Sequence, residues 1–115
     1  MTEMLKGTFQ GIALALLADR SAYGYEITAW LREQGFTDIA EGTVYAVLVR
    51  IGQQGLVDVA RVPSEKGPPR RVYSLNAKGR DDLEEFWRTW SFLTERIDQL
   101  HEGGRWPWQP DGSKH

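Results

Sequence analysis

At 115 residues with 41% hydrophobic content, the chain allows one domain with a modest core. It has no cysteine, which removes disulfides and thiolate chemistry and fits a reducing cytoplasm; the apolar run Ile12 to Ala18 is far short of a membrane span and follows no charged n-region of a signal peptide. Fourteen Lys and Arg against sixteen Asp and Glu speak against nucleic acid until they are counted by segment: residues 1–49 hold three basic and six acidic side chains, residues 81–115 four and eight, and residues 50–80 seven and two. A local basic surplus beside an acidic body is compatible with holding phosphates.

Residues 4–19 form the first predicted helix, with Leu5, Phe9, Ile12, Ala13 and Leu16 on one stripe. Leu14 falls roughly opposite. A tightly buried helix would account for it, but in so small a domain a contact between subunits is the expectation adopted for Leu14. The segment Asp19 to Ala22 breaks the pattern, and Ser21 is the expected N-cap of a second helix through Gln34. Ile27, Trp30 and Leu31 make its core face, while Tyr25 and Glu26 stay near the surface. Gly35 serves as C-cap, and Phe36 to Ala40 turn into the next helix.

From Glu41 the apolar residues Val44, Val47, Leu48 and Ile51 recur at offsets of three and four and should be buried together. The opposite face carries Tyr45, Ala46, Val49, Arg50, Gly52 and Gln53. It is mostly small, with a few polar groups that reach further, which suits a helix in the major groove of DNA. Alone, the same pattern describes a solvated amphipathic helix. The basic turn beside it moves the balance.

Gly55 suits the end of this helix, and Leu56 to Val62 is valine-rich and strand-like. Pro63 to Pro69 is a turn, and Arg70 to Leu75 returns. Lys66 at the tip, with Arg70 and Arg71 at the base, would sit near phosphates or in the minor groove; a solvated basic hairpin is the alternative. Tyr73 and Leu75 alternate with Val72 as core residues.

Asn76 reads as the N-cap of a last helix to about His101. Leu83, Trp90 and Ile97 are seven apart, and Phe86, Leu93 and Leu100 form a second such series offset by three. This a/d seam needs a partner helix; the rest of the domain could supply it, but a seam beyond a compact winged unit points instead to a homodimer with Phe86, Trp90, Leu93, Ile97 and Leu100 at its interface. Trp87 and Phe92 widen the apolar surface. Trp87 and Trp90, one turn apart, either fill the seam or, with the symmetry mate, line a site for a small aromatic effector. Gly103 to His115, with Trp106 and Trp108, reads as a poorly ordered tail.

Catalytic chemistry is hard to find. His101 and His115 stand apart from any cluster of ligands, and Asp81, Asp82, Glu84 and Glu85 are the dipole complement expected in a first helical turn. There is no glycine-rich phosphate loop or nucleophile elbow. Neither an enzyme, nor a cofactor, nor a metal is expected.

The order of three helices, strand, Pro/Gly turn, strand and helix is that of a winged helix-turn-helix, and the sequence resembles the PadR family of bacterial transcriptional regulators. The likeness is carried by Leu5-Lys6-Gly7, Tyr23-Gly24-Tyr25-Glu26-Ile27, Glu41-Gly42-Thr43-Val44-Tyr45, Gly55-Leu56-Val57, Gly67 through Leu75, and Gly79, in family order over residues 5–100. Ala46 departs from a frequent proline, Gly52 from a frequent acid and Asn76 from a frequent threonine. The resemblance implies a dimer formed through the last helix. It also implies an effector response, since some members respond to phenolic acids or planar drugs bound near the dimer interface.

The expectation is therefore a mainly α fold with a small β-hairpin. Residues 1–75 form a winged helix-turn-helix, 76–102 a C-terminal dimerisation helix in the same compact unit, and 103–115 a disordered tail. The functional expectation is a cytoplasmic, homodimeric regulator, a repressor binding double-stranded DNA through Tyr25, Thr43, Tyr45, Arg50, Lys66, Arg70 and Arg71. A winged-helix module for protein–protein contact, without sequence-specific DNA binding, is the competing class. Salt-dependent loss of duplex affinity on removing the wing's basic residues separates the two.

Overall fold

Apolar side chains spaced three and four apart give each of the first three helices a face that must leave water. In the computed structural model, which describes residues 2–103 with side chains from Gly7 onward, these faces meet in one core. The elements are α1 (Thr2–Asp19), β1 (Ala22–Tyr23), α2 (Gly24–Glu33), α3 (Glu41–Gln53), β2 (Val57–Val62), β3 (Arg70–Leu75) and α4 (Ala77–His101). Phe9, Ala13 and Leu17 of α1, Ile27 and Leu31 of α2, and Val44, Val47, Leu48 and Ile51 of α3 are all buried. Each large one contributes about 1.5–3 kcal/mol through the area removed from water.

Four residues of α1 and α2 are placed differently from expectation. Leu14, expected at a subunit contact, is 0% exposed within its own chain. α1 packs against both α3 and β3, so its second apolar face is covered from inside. Ile12 and Leu16, by contrast, are only half-buried, and the side chain of Leu5 lies outside the described residues. Trp30 is 36% exposed, because the buried stripe of α2 is Ile27, Thr28 and Leu31 and Trp30 lies roughly 100° around the helix from its centre. Thr28 sits in the core with its hydroxyl turned to the Gly24 carbonyl.

The start of α2 also differs from expectation. Ala22 and Tyr23 are extended and pair with β3, in the register Ala22 to Tyr73 and Tyr23 to Val72, so the sheet has three antiparallel strands in the order β1-β3-β2. Tyr23 takes the N-cap position in place of Ser21, and its N–H donates to the Glu26 carboxylate at 2.8 Å. Ser21 instead shares a 2.7 Å hydroxyl–hydroxyl hydrogen bond with Ser74 of β3.

α2 and α3 end alike. Gly35 N–H donates to the Arg32 carbonyl and Phe36 N–H to Leu31; Gly55 N–H donates to Gly52 and Leu56 N–H to Ile51. This double closure requires a left-handed residue, and Gly55 supplies it at φ 75°. The chain then enters the hairpin, whose pairs run from Val57 with Leu75 to Val62 with Arg70. Val57, Tyr73 and Leu75 complete the core.

α4 is fastened at its first turn. Asn76 Oδ1 accepts the Gly79 N–H at 2.9 Å, as an N-cap does, while its Nδ2 donates to the Gly55 carbonyl and Lys78 Nζ donates to the Gln54 carbonyl, both also at 2.9 Å. Gly79 is buried so tightly that a Cβ there would overlap the Leu56 carbonyl and the Leu75 side chain. Leu83 is buried as well. The chain divides into two compact units between Glu84 and Glu85, inside α4.

In the second unit Trp87, Trp90, Phe92, Leu93, Ile97 and Leu100 are exposed on α4. Phe86 is half-buried, with ring centroids 5.2 Å from Trp87 and 6.4 Å from Trp90, and the Arg96 guanidinium lies 4.8 Å from the Phe92 ring centre. The tail expected over 103–115 lies, after Gly103, outside the described residues. Among the described residues no helix is long and apolar enough to cross a membrane, and no group of three or more acidic or histidine side chains is placed to hold a metal ion. The architecture is a winged helix-turn-helix, with β2 and β3 as the wing, followed by a long helix.

Candidate nucleic-acid interface

With Val44, Val47, Leu48 and Ile51 turned inward, α3 necessarily presents Thr43, Tyr45, Ala46, Val49, Arg50 and Gln53 outward, and all six are exposed. Tyr45 is not free to sweep. Its ring rests against Gly24 at the start of α2, where a Cβ would come within 2.7 Å of Tyr45 Cε1. The missing side chain at Gly24 thus seats the aromatic group of the neighbouring helix.

Beside it lies a second aromatic arrangement that links α2 to the wing. The rings of Tyr23 and Tyr25 stack with centroids 5.6 Å apart and planes 11° from parallel. Arg70 reaches across from β3 and holds its guanidinium carbon 5.5 Å from the Tyr25 ring centre and 6.0 Å from that of Tyr23. This geometry lies within the range in which ring quadrupoles attract a cation. Tyr25, Tyr45, Val49, Lys66, Arg70 and Arg71 share the lining of one cleft of about 470 Å³ between α3 and the wing. Thr43 and Arg50 stand on the exposed face of α3 but outside that cleft.

The charges here are unneutralised. Arg20, Arg88 and Arg96 pair with Glu26, Glu85 and Glu95, whereas among the described residues Arg50, Arg61, Lys66 and Arg71 have no acidic partner. Arg61 was not singled out from the sequence. It stands directly across the hairpin from Arg71; the period-two alternation of Val57, Val59 and Arg61 is the signal that identifies its face. Tyr23 was likewise passed over, because its role depends on a ring two residues away and an arginine from another element.

A helix with a small outward face, flanked by a cationic hairpin and tyrosine rings, can approach a groove while its neighbours meet phosphates. Residues 13–85 match the model of the transcriptional regulator PadR-like family. The chain belongs to the PadR-like family. PadR-like regulators are winged-helix DNA-binding proteins. Among solved structures, this PadR-like chain is similar to a PadR-like transcriptional regulator from Bacillus cereus, at 34% identity over 85% of this chain and 95% of the other, with a TM-score of 0.75. A Streptococcus transcriptional regulator gives 32% identity, 88% and 99% coverage and a TM-score of 0.77. A PadR family regulator from Eggerthella lenta gives 28%, 88% of each chain and 0.79. An uncharacterized protein from Lysinibacillus sphaericus is 28% identical over 104 residues, spanning 89% of this chain and 95% of that one.

Proposed function

We propose that the chain is a homodimeric repressor that acts in the cytoplasm on an inverted-repeat operator, with α3 of each subunit in the major groove and each wing on the flanking backbone. The observation that carries this reading is the cleft in which Tyr45 of α3, Lys66 and Arg71 of the wing, and Arg70 on its tyrosine platform meet. Thr43 and Tyr45 serve base edges or the adjoining backbone, with Arg50 beside them; Lys66, Arg70 and Arg71 serve phosphates. Tyr25 acts through Arg70, which it holds.

Dimerisation is supported by the exposed apolar side chains of α4, from Trp90 at 42% to Leu100 at 63%. Water disfavours so continuous an apolar surface, and a second copy of the same seam would cover it. Phe86 and Leu93 belong to the same proposed interface. In this scheme the unit before Glu85 reads DNA and the unit after it sets the spacing of the two readers. A small planar effector stacked on Trp87 and Trp90 would release the operator by favouring a different spacing, and only to the extent of its differential affinity for the two states. Tryptophan emission titrated with phenolic and polyaromatic compounds, in wild type and Trp90→Leu, tests that part: absence of both quenching and any change in operator affinity assigns the tryptophans to packing.

The DNA-binding part is tested with an Arg70→Ala, Arg71→Ala double variant. Weaker binding to all duplexes and a smaller dependence on salt are expected. Unchanged affinity would favour the protein–protein module instead.

A further inference from the structure

Alternation along the hairpin places Val57, Val59 and Arg61 of β2 on the same face as their partners Leu75, Tyr73 and Arg71 of β3. This face leaves the core stepwise. Val57, Tyr73 and Leu75 are buried, Val59 is 46% exposed, and the last pair, Arg61 with Arg71, is fully at the surface. Directly opposed residues have Cβ atoms about 4.5–5.5 Å apart, and like charges in that position destabilise a ladder. Neither guanidinium has an acidic partner among the described residues. Both line a hollow of about 410 Å³ together with Val49, Gly52 and Gln53 of α3. The floor is open because Gly52 carries no side chain; a Cβ there would meet only Val59, at 4.0 Å.

We infer that Arg61 and Arg71 together seat a single phosphate of the DNA backbone, with the Gln53 amide as a neutral donor beside them. The inference rests on the DNA-binding reading above and adds to it a residue and a stoichiometry. A guanidinium presents paired N–H donors that match phosphate oxygens, and two of them aimed at one phosphodiester turn their mutual repulsion into a shared attraction. Arg70, next in sequence, lies on the other face of β3 and is held by the tyrosine rings. It therefore serves a different position on the backbone.

Fluorescence anisotropy with a labelled, mixed-sequence duplex tests this without knowledge of the operator, since phosphate contacts are independent of sequence. Arg61→Gln, Arg71→Gln and the double variant are compared with wild type over roughly 50–200 mM salt. Each single variant should weaken binding roughly ten- to a hundred-fold while losing little of the log–log salt slope, because the remaining guanidinium still neutralises the same phosphate. The double variant should lose about 0.9 of slope in total, since only then is the one phosphate given up. Thermal midpoints should be unchanged or higher, since removing one guanidinium relieves the opposed pair; this separates lost contact from lost fold. Wild-type affinity in Arg61→Gln would overturn the inference and leave the DNA-binding reading standing. Single variants that each lose about 0.9 of slope, with a double variant losing twice that, would assign two phosphates and overturn the shared seat. A wild-type chain that binds no duplex removes both readings.

Discussion

Arg70 illustrates how a single side chain acquires a fixed position at a surface. An unconstrained arginine carries about 2 kcal/mol of rotamer entropy that a phosphate contact must overcome. Here two stacked rings hold the guanidinium before any partner arrives. Tyr25→Ala should therefore weaken duplex binding about as much as Arg70→Ala, and combining the two should add little. Tyr25→Phe keeps the ring and should keep the affinity. Anisotropy titrations compare the four; a phenylalanine variant as weak as the alanine one would mean that the phenol oxygen itself meets DNA. Gly24 makes a parallel case. Gly24→Ala pushes on the end of an exposed tyrosine, not on backbone, so the thermal midpoint should hardly move while operator affinity falls as Tyr45 is displaced.

At the scale of elements, the capped start of α4 ties the end of α3 to the sheet. Asn76→Ala removes an N-cap and the bond to the Gly55 carbonyl and should cost about 1–2 kcal/mol in urea unfolding. Leu14→Ala should cost about 2–5 kcal/mol as a cavity mutation, with no change in association measured by sedimentation. The Asn76 cap, the inward face of α3 and the ends of the wing strands were legible in the sequence, because each depends on local periodicity or turn chemistry. β1 was not: two residues, Ala22 and Tyr23, are too few to alternate, and they become a strand only because β3 offers an edge. The second face of α1 was visible as apolar, but a helical wheel does not say whether the same chain or another covers it, and Leu14 was assigned to the wrong side of that choice. Trp30 was misplaced because a wide apolar stripe was assumed where Thr28 fills the core. In the interface, the basic wing was legible by charge count, whereas the Tyr23–Tyr25–Arg70 stack and the Arg61–Arg71 pairing arise from strand register and tertiary approach.

For the whole molecule, seven basic against two acidic side chains in residues 50–80 lie between two acidic segments. Carboxylates in the flanking segments repel phosphates, which favours the basic segment for any contact with DNA. A dimer would give this surface its two-fold repeat, and charged replacements at both Trp90 and Leu93 should yield monomers or insoluble protein in analytical ultracentrifugation. A monodisperse wild-type monomer at micromolar concentration would contradict that. The most direct test of the central claim, a homodimer reading duplex DNA through α3 and the wing, is selection of bound genomic fragments by the purified protein. Enriched fragments should share an inverted repeat, with half-site centres about 10 or 20 bp apart. Fragments with no common motif, or a shared motif lacking two-fold symmetry, would contradict it.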